Sequence, residues 1–213
     1  MRGTSRRGDW RVHSAAHWTE RYGLIIILAL GESIVAIGVG ASQEPVSVPI
    51  LLGAAAGIVL SLGLWWLYFD VTAIAAEHRF AALRGPARAS AAVEAYTYLH
   101  LPLVAGIVLS ALGVEDVLAH VEESQGFGAL GACALFGGTA LYLLGNTAFW
   151  HRVGGEWKTW RLGAAALLLA LIPVAAPLAP LAALALIAVI VSALVALESL
   201  RYAQHRTAIR TSR

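Results

Sequence analysis

The sequence has little of what soluble domains and cysteine-based metal sites are built from. It contains one cysteine, Cys133, and only 13% of its 213 residues are charged, whereas 59% are hydrophobic. A single cysteine excludes an intramolecular disulfide and most cysteine-metal sites. The scarcity of charge excludes the usual balance of a soluble domain. By composition, this chain is a membrane protein.

Motifs of several enzyme classes are also missing. The sequence holds no zinc-ligand spacing, no phosphate-binding loop and no serine nucleophile elbow. We therefore expect neither an enzyme nor a cofactor nor a metal, and no nucleic-acid partner. The first twenty residues are basic and polar and lack an apolar stretch ending at a small-residue cleavage site, so we expect no removable signal peptide.

Long apolar runs predict an all-α polytopic membrane bundle. A helix needs about 20 residues to cross a hydrocarbon layer of about 30 Å. Six stretches meet this length, at approximately 22–41, 48–69, 95–114, 127–149, 161–177 and 179–200. The last two form one apolar block that the proline-rich run PVAAPLAP divides into a hairpin. The prediction is a basic juxtamembrane segment (1–21), a six-span domain (22–200) and a basic tail (201–213).

The positions of the basic residues test this count, because short cytoplasmic loops collect Lys and Arg. With six spans, every base falls on one face of the membrane, and the loops on the other face carry only acids. Both termini are therefore predicted to be cytoplasmic, and we expect anionic lipid headgroups to contact that face. The bases are Arg2, Arg6, Arg7, Arg11, Arg21, Arg79, Arg84, Arg88, Arg152, Lys158, Arg161, Arg201, Arg206, Arg210 and Arg213; the acids are Glu44, Glu115, Asp116, Glu122 and Glu123.

Glu32 lies in the middle of the first predicted span, in the run ALGESIVAIG. Intramembrane carboxylates mark ion pathways and proton relays, which favours a protonatable site. The alternative is a structural carboxyl that Ser33 or another helix hydrogen-bonds. Because Ala36 and Gly40 share its helical face, we expect Glu32 to face another helix.

His100 lies in the third predicted span, in YTYLHLPLVAG, one turn after Tyr96. Pro102 removes an amide that would bond the carbonyl of Tyr98, so a backbone acceptor should be free near the imidazole. His100 is therefore a candidate relay or partner for Glu32. The alternative is a histidine that only holds helices together.

Other polar positions lie near the predicted cytoplasmic face. Asp70 closes the second span, where interfacial solvation or pairing with a nearby arginine would account for it. His17, Glu20 and Arg21 share a helical face just before the first span, which is typical of a solvated juxtamembrane turn. Asn146 is expected to form a helix–helix hydrogen bond.

Three stretches resemble the bacterial low-temperature-requirement protein A family. They are HWTERYGLIIILALGESIVAIGVGA (17–41), WWLYFD (65–70) and YTYLHLPLVAGIVLSALGVE (96–115). The resemblance implies a multi-pass membrane protein of the bacterial cytoplasmic membrane, associated with growth in the cold. It also implies a longer family member with further spans ahead, so an upstream half or a second copy would complete any site. Positions that match the family pattern are His17, Glu20, Arg21, Glu32, Ser33, Asp70 and His100.

Two functions are compatible with the sequence. The first is a proton- or ion-coupled transporter or permeation protein, with Glu32 as the protonatable site and with Ser33, His100 and Tyr96 beside it. The second is a non-transporting membrane protein for cold or stress adaptation, assembly or lipid interaction. In that case Glu32 and His100 are structural.

Overall fold

A computed structural model describes residues 15–43, 45–122 and 125–201 of the chain. These residues form helices and no strand. Predictions for residues 1–14, 44, 123–124 and 202–213, which include most terminal arginines, Glu44 and Glu123, lie outside the described residues. The helices are α1 (Ala15–Gln43), α2 (Val48–Phe69), α3 (Thr72–Ala82), α4 (Gly85–Ala91), α5 (His100–Ala119), α6 (Gly128–Ala132), α7 (Gly138–Arg152), α8 (Thr159–Ala175) and α9 (Pro180–Arg201).

Five helical segments of the described chain are long and apolar enough to cross a membrane. Three of them are composites, because α2 runs on into α3, while α4 joins α5 and α6 joins α7 through π-helical turns at Ala92–Tyr98 and Cys133–Gly137. The fifth predicted span, 161–177, corresponds to α8, an apolar helix of 17 residues that is shorter than the five spanning segments.

Local sequence sets where these helices begin and end. The hydroxyl of Ser47 accepts the amide hydrogen of Ile50 and caps α2, whose first turn also holds a proline. Between α8 and α9 the chain reverses within four residues before Pro180. The loop from 70 to 94, which carries three predicted cytoplasmic arginines, is itself mostly helical and forms α3 and α4.

Small residues let α5 and α7 approach closely at the centre of the bundle. A Cβ atom added at Gly106 would lie 2.5 Å from the backbone nitrogen of Tyr142, and one at Gly138 would lie 2.6 Å from the nitrogen of Ser110. The hydroxyls of Ser110 and Thr139 share a hydrogen bond of 3.0 Å across this contact. Backbone contact of this kind replaces the hydrophobic drive that helices lack inside a bilayer.

Contacts between the helix ends bring most of the basic segments together. Arg152 Nε donates to Glu94 at 2.6 Å, Lys158 Nζ donates to Thr72 at 2.9 Å, and Arg79 donates to the carbonyl of Gly154. We call this the basic end of the bundle, formed by residues 72–94, 152–161 and 198–201. At the opposite end, the amide of Phe127 bonds the carbonyl of Leu178 at 2.8 Å.

Candidate functional site

Glu32 lies on the outer surface of α1, which corrects the expectation that it faces another helix of this chain. The side chains of its neighbours Ile34 and Val35 are also exposed, at 46% and 58%. Ser33 is buried, and its hydroxyl donates to the carbonyl of Ala29 at 3.0 Å instead of serving Glu32. Among the described residues, Glu32 therefore projects from an apolar helix face.

The structure does not bring Glu32 and His100 together. His100 contacts α1 at Tyr22, where the ring centroids are 4.9 Å apart. Glu32 lies ten residues further along the same helix, or roughly 15 Å at 1.5 Å per residue. Direct proton exchange between the two side chains is excluded in this arrangement.

His100 is buried and hydrogen-bonded through both ring nitrogens. Nδ1 lies 3.2 Å from the carbonyl oxygen of Ala95, and Nε2 lies 2.9 Å from the hydroxyl of Tyr68. A carbonyl can only accept, so Nδ1 carries the hydrogen, and in the neutral ring Nε2 accepts the hydroxyl hydrogen of Tyr68. The pair links α5 to α2 through an exchangeable proton.

A π-helical turn supplies the acceptor for His100. Residues Ala92–Tyr98 form this turn directly before α5, and π-turns are frequent at functional sites. The sequence predicted that Pro102 would free the carbonyl of Tyr98 for the imidazole. The carbonyl that binds the ring is instead that of Ala95, five residues before the histidine.

Aromatic rings enclose His100 on several sides. Tyr96 stacks on the imidazole at 5.6 Å with an interplanar angle of 14°, as its one-turn spacing in the sequence predicts. Phe149 meets the ring edge-on at 4.8 Å. The hydroxyl of Tyr22 is 2.7 Å from that of Thr97, which fixes α1 against the π-turn.

A cleft of about 380 Å³ lies beside this aromatic cluster. We call it the acidic cleft, because Glu20 of α1 and Glu77 of α3 line it and, among the described residues, no basic side chain does. The Tyr96 ring also lines it, is 1% exposed, and has a hydroxyl without a hydrogen-bond partner in the described structure. The remaining lining residues are Thr19, Gly23, Leu24, Ile27, Tyr68, Phe69, Ala73, Ile74 and Phe149.

The juxtamembrane motif that begins at His17 belongs to the first turns of α1. Glu20 turns toward the acidic cleft, whereas the guanidinium of Arg21 lies over the ring of Trp18, 5.9 Å from its centroid. His17 is exposed. The motif therefore contributes one carboxylate to the cleft and keeps its positive charge outside.

A second polar site lies at the basic end and was not predicted. Arg161, only 2% exposed, forms a bidentate ion pair with Glu198, with Nε–Oε1 at 2.8 Å and Nη2–Oε2 at 2.7 Å. Its third nitrogen donates to Asn146 and, at 3.3 Å, to Thr72. We call these four residues the Arg161 cluster; it joins α3, α7, α8 and α9, and it confirms the helix–helix bond expected of Asn146.

A signal for this cluster was present in the sequence. Glu198 falls inside the last predicted span, less than one turn from its end, and Arg161 opens the fifth. Arg161 was counted only as a basic residue of a loop. The charge rule predicts on which side of the membrane such a residue lies, but it does not predict the residue's hydrogen-bond partner.

Asp70, at the end of α2, lines a separate cleft of about 490 Å³ with Arg161 and Lys158.

Lys158, the only lysine in the chain, lies outside the helices between α7 and α8. Burial and, to a lesser degree, the nearby positive charge of Arg161 lower the pKa of Lys158 to about 7, against the opposing effect of the negative charges of Glu198 and Asp70. Its ammonium also lies over the ring of Trp150, 4.9 Å from the centroid.

Lys158 is expected to make stability depend on pH. The unfolded lysine has a pKa of about 10.4, so between pH 7 and that value the unfolded chain binds the extra proton. Stability should therefore rise with pH through this window and fall as pH drops toward 7. Thermal unfolding of wild type and Lys158→Gln at pH 6, 7.5 and 9 checks this. The melting temperature should rise with pH in the wild type and not in Lys158→Gln. An equal pH dependence in both proteins would contradict the lowered pKa of Lys158.

The described residues hold no group of three His, Cys, Asp or Glu side chains that could bind a metal ion. The arrangement at the acidic cleft instead offers acceptors: two carboxylates, a hydroxyl and aromatic faces. Such a set can hold a cation.

Comparison with known proteins agrees with the sequence motifs. Residues 2–196 match the family described as bacterial low temperature requirement A protein (LtrA). The chain belongs to the LtrA family. This confirms the resemblance and identifies the chain as a membrane protein of the LtrA type. In the structure, the three motif stretches lie in α1, at the end of α2, and in the π-helical turn with most of α5.

This chain is also similar to an uncharacterized protein of Rhizobium meliloti (strain 1021). It is 32% identical over 132 residues, which cover 61% of this chain and 31% of the relative. The match thus spans about a third of the relative's length. No solved structure matches the chain.

Proposed function

We propose that the chain handles cations in a bacterial transport or permeation protein, and that the acidic cleft is where the cation enters. The observation that carries the proposal is the lining of this cleft, to which the part of the chain that the structure describes contributes two carboxylates and no base. A cleft with one sign of charge concentrates ions of the other sign. The Tyr68–His100 hydrogen bond behind it offers a protonatable group for coupling. The proposal assigns no enzymatic activity to the chain.

The membrane arrangement that goes with this function has six spans, with α8 as the fifth crossing. We propose that both termini are cytoplasmic and that the membrane is the bacterial inner membrane. Support comes from the bases of the basic end and from the tryptophans near it, which favour an interface rich in anionic headgroups. The tryptophans at these helix ends include Trp65, Trp66, Trp150, Trp157 and Trp160.

Glu32 has a place in this proposal as a second protonatable site. A carboxyl group that faces hydrocarbon is energetically costly. On the same helix, a Cβ atom added at Gly31 or Gly38 would have no neighbouring atom within 4 Å, so there is open space at these positions. We propose that another span covers this face, contributed by further chain or by a second copy. The length of the Rhizobium relative supports the first source.

The test is a flux assay on the chain reconstituted in liposomes, with a pH-sensitive dye inside. Wild type should dissipate an imposed pH gradient faster than empty liposomes. Glu77→Gln should slow this about tenfold, because the cleft then loses half of its charge. Glu32→Gln should abolish the pH dependence of the rate while the circular dichroism spectrum stays unchanged.

A non-transporting role in assembly, lipid interaction or cold adaptation is the second candidate. The observation in its favour is that both nitrogens of His100 are already bonded within the fold. It predicts that flux equals that of empty liposomes and that His100→Gln changes only thermal stability. That combination would overturn the transport proposal.

A further inference from the structure

We propose that the acidic cleft binds a protonated organic amine. This inference rests on the proposed function, because it names the class of cation that the same cleft takes. Three independent features of the cleft carry it: its charge, its aromatic walls and the buried hydroxyl of Tyr96.

The charge of the cleft selects a cation. Glu77 of α3 is half-buried and Glu20 of α1 is exposed, so one carboxylate lies deeper than the other. Two described arginines of the same helices are held elsewhere: Arg21 lies on Trp18, and Arg79 donates to Gly154 and lies over Trp150. Carboxylates accept hydrogen bonds and cannot donate them, so an N–H cation satisfies them and an anion does not.

The aromatic walls select an organic cation over a hydrated metal ion. Tyr68, Phe69, Tyr96 and Phe149 contribute rings to the lining, and Leu24 contributes apolar surface. Ring faces attract ammonium groups, most strongly where water is excluded. A bare inorganic ion would leave most of this apolar surface unused, whereas an alkyl or aryl amine covers it. The volume of about 380 Å³ accommodates such a molecule.

The hydroxyl of Tyr96 supplies the specific contact. It is buried without a hydrogen-bond partner among the described residues, and buried polar groups are normally paired. Glu77 lines the same cleft as Tyr96. A protonated amine in the cleft can donate one N–H to the Tyr96 oxygen and another to the carboxylate of Glu77. This pairing distinguishes a protonated amine from a quaternary ammonium, which has no N–H to donate.

Calorimetric titration of the chain in nanodiscs of a zwitterionic lipid tests the inference. Benzylamine is the probe, benzyl alcohol and benzoate are its neutral and anionic counterparts, and heats from empty nanodiscs are subtracted. Benzylamine should bind saturably and at least about tenfold more tightly than either counterpart. Glu77→Gln should raise its Kd about tenfold, and Tyr96→Phe should raise it several-fold.

The matched control is Glu122→Gln, which removes an exposed carboxylate at the opposite end of the bundle and should leave the Kd unchanged. All variants should keep the wild-type melting temperature within a few degrees. Equal affinity for benzyl alcohol, or a Kd that Glu77→Gln does not move, would overturn the amine site. Flux that still depends on Glu77 without benzylamine binding would leave cation handling intact and reject only the amine.

Discussion

Arg161→Ala is expected to lower the free energy of unfolding by about 3–5 kcal/mol, because removing one partner of a buried ion pair leaves the other charge without compensation. The guanidinium lies in the interior with Glu198, and both carboxylate oxygens depend on it. Asn146 and Thr72 lose a donor in the same change. Reversible denaturation in detergent micelles measures the effect.

Two further variants separate charge from packing at this site. The double replacement Arg161→Met with Glu198→Leu removes both charges together and should cost less than the single change. Arg152→Ala breaks the exposed pair with Glu94 at the same end of the bundle and should have a small effect. If Arg161→Ala were no worse than Arg152→Ala, the buried pair would contribute little to stability.

Gly106→Ala is expected to destabilise the bundle by about 1–3 kcal/mol, or more if the helices cannot separate, because overpacking forces backbone to move. The added methyl would lie 2.5 Å from the Tyr142 nitrogen and 2.7 Å from the Gly138 carbonyl oxygen. Neither atom is the end of a flexible side chain. Relief therefore requires α5 and α7 to move apart.

Gly163→Ala is the control for this change. Gly163 is an exposed residue of α8, and nothing lies within 4 Å of its added Cβ. Alanine is the better helix former, so this variant should be neutral or stabilising by about 0.5–1 kcal/mol. Melting temperatures of the two variants are measured side by side. Equal changes at Gly106 and Gly163 would show that the close contact of α5 with α7 does not account for the effect at Gly106.

Membrane character and helical class followed from composition, since hydrophobic runs near 20 residues leave few alternatives in a bilayer. The same reasoning missed α3 and α4, because it searched for spans and these short helices lie between them. It also placed Glu32 toward another helix on the strength of Ala36 and Gly40. Those residues are half-buried and buried, yet Glu32 is exposed, because the helix turns about 100° per residue and small neighbours do not fix which way one side chain points.

Site residues were only partly predictable for a related reason. Periodicity placed Tyr96 on the face of His100, and the stacked rings agree. It could not place Tyr68 or Glu77, which come from other helices and reach the site through tertiary packing. Ala95 became the partner of His100 through a π-turn, which shifts the register by one residue in a way that a regular helical count does not contain.

The sequence by itself determined that this is a membrane protein, that it is helical and to which family it belongs, because hydrophobicity and local motifs are properties of consecutive residues. Only the tertiary structure decided which polar groups meet. It buried Arg161 with Glu198, separated Glu32 from His100, and placed Tyr96, whose hydroxyl is buried, in the lining of a cleft that also holds two carboxylates. Such pairings depend on the rotation of each helix about its axis and on the distance between helices, and the local sequence pattern does not specify either.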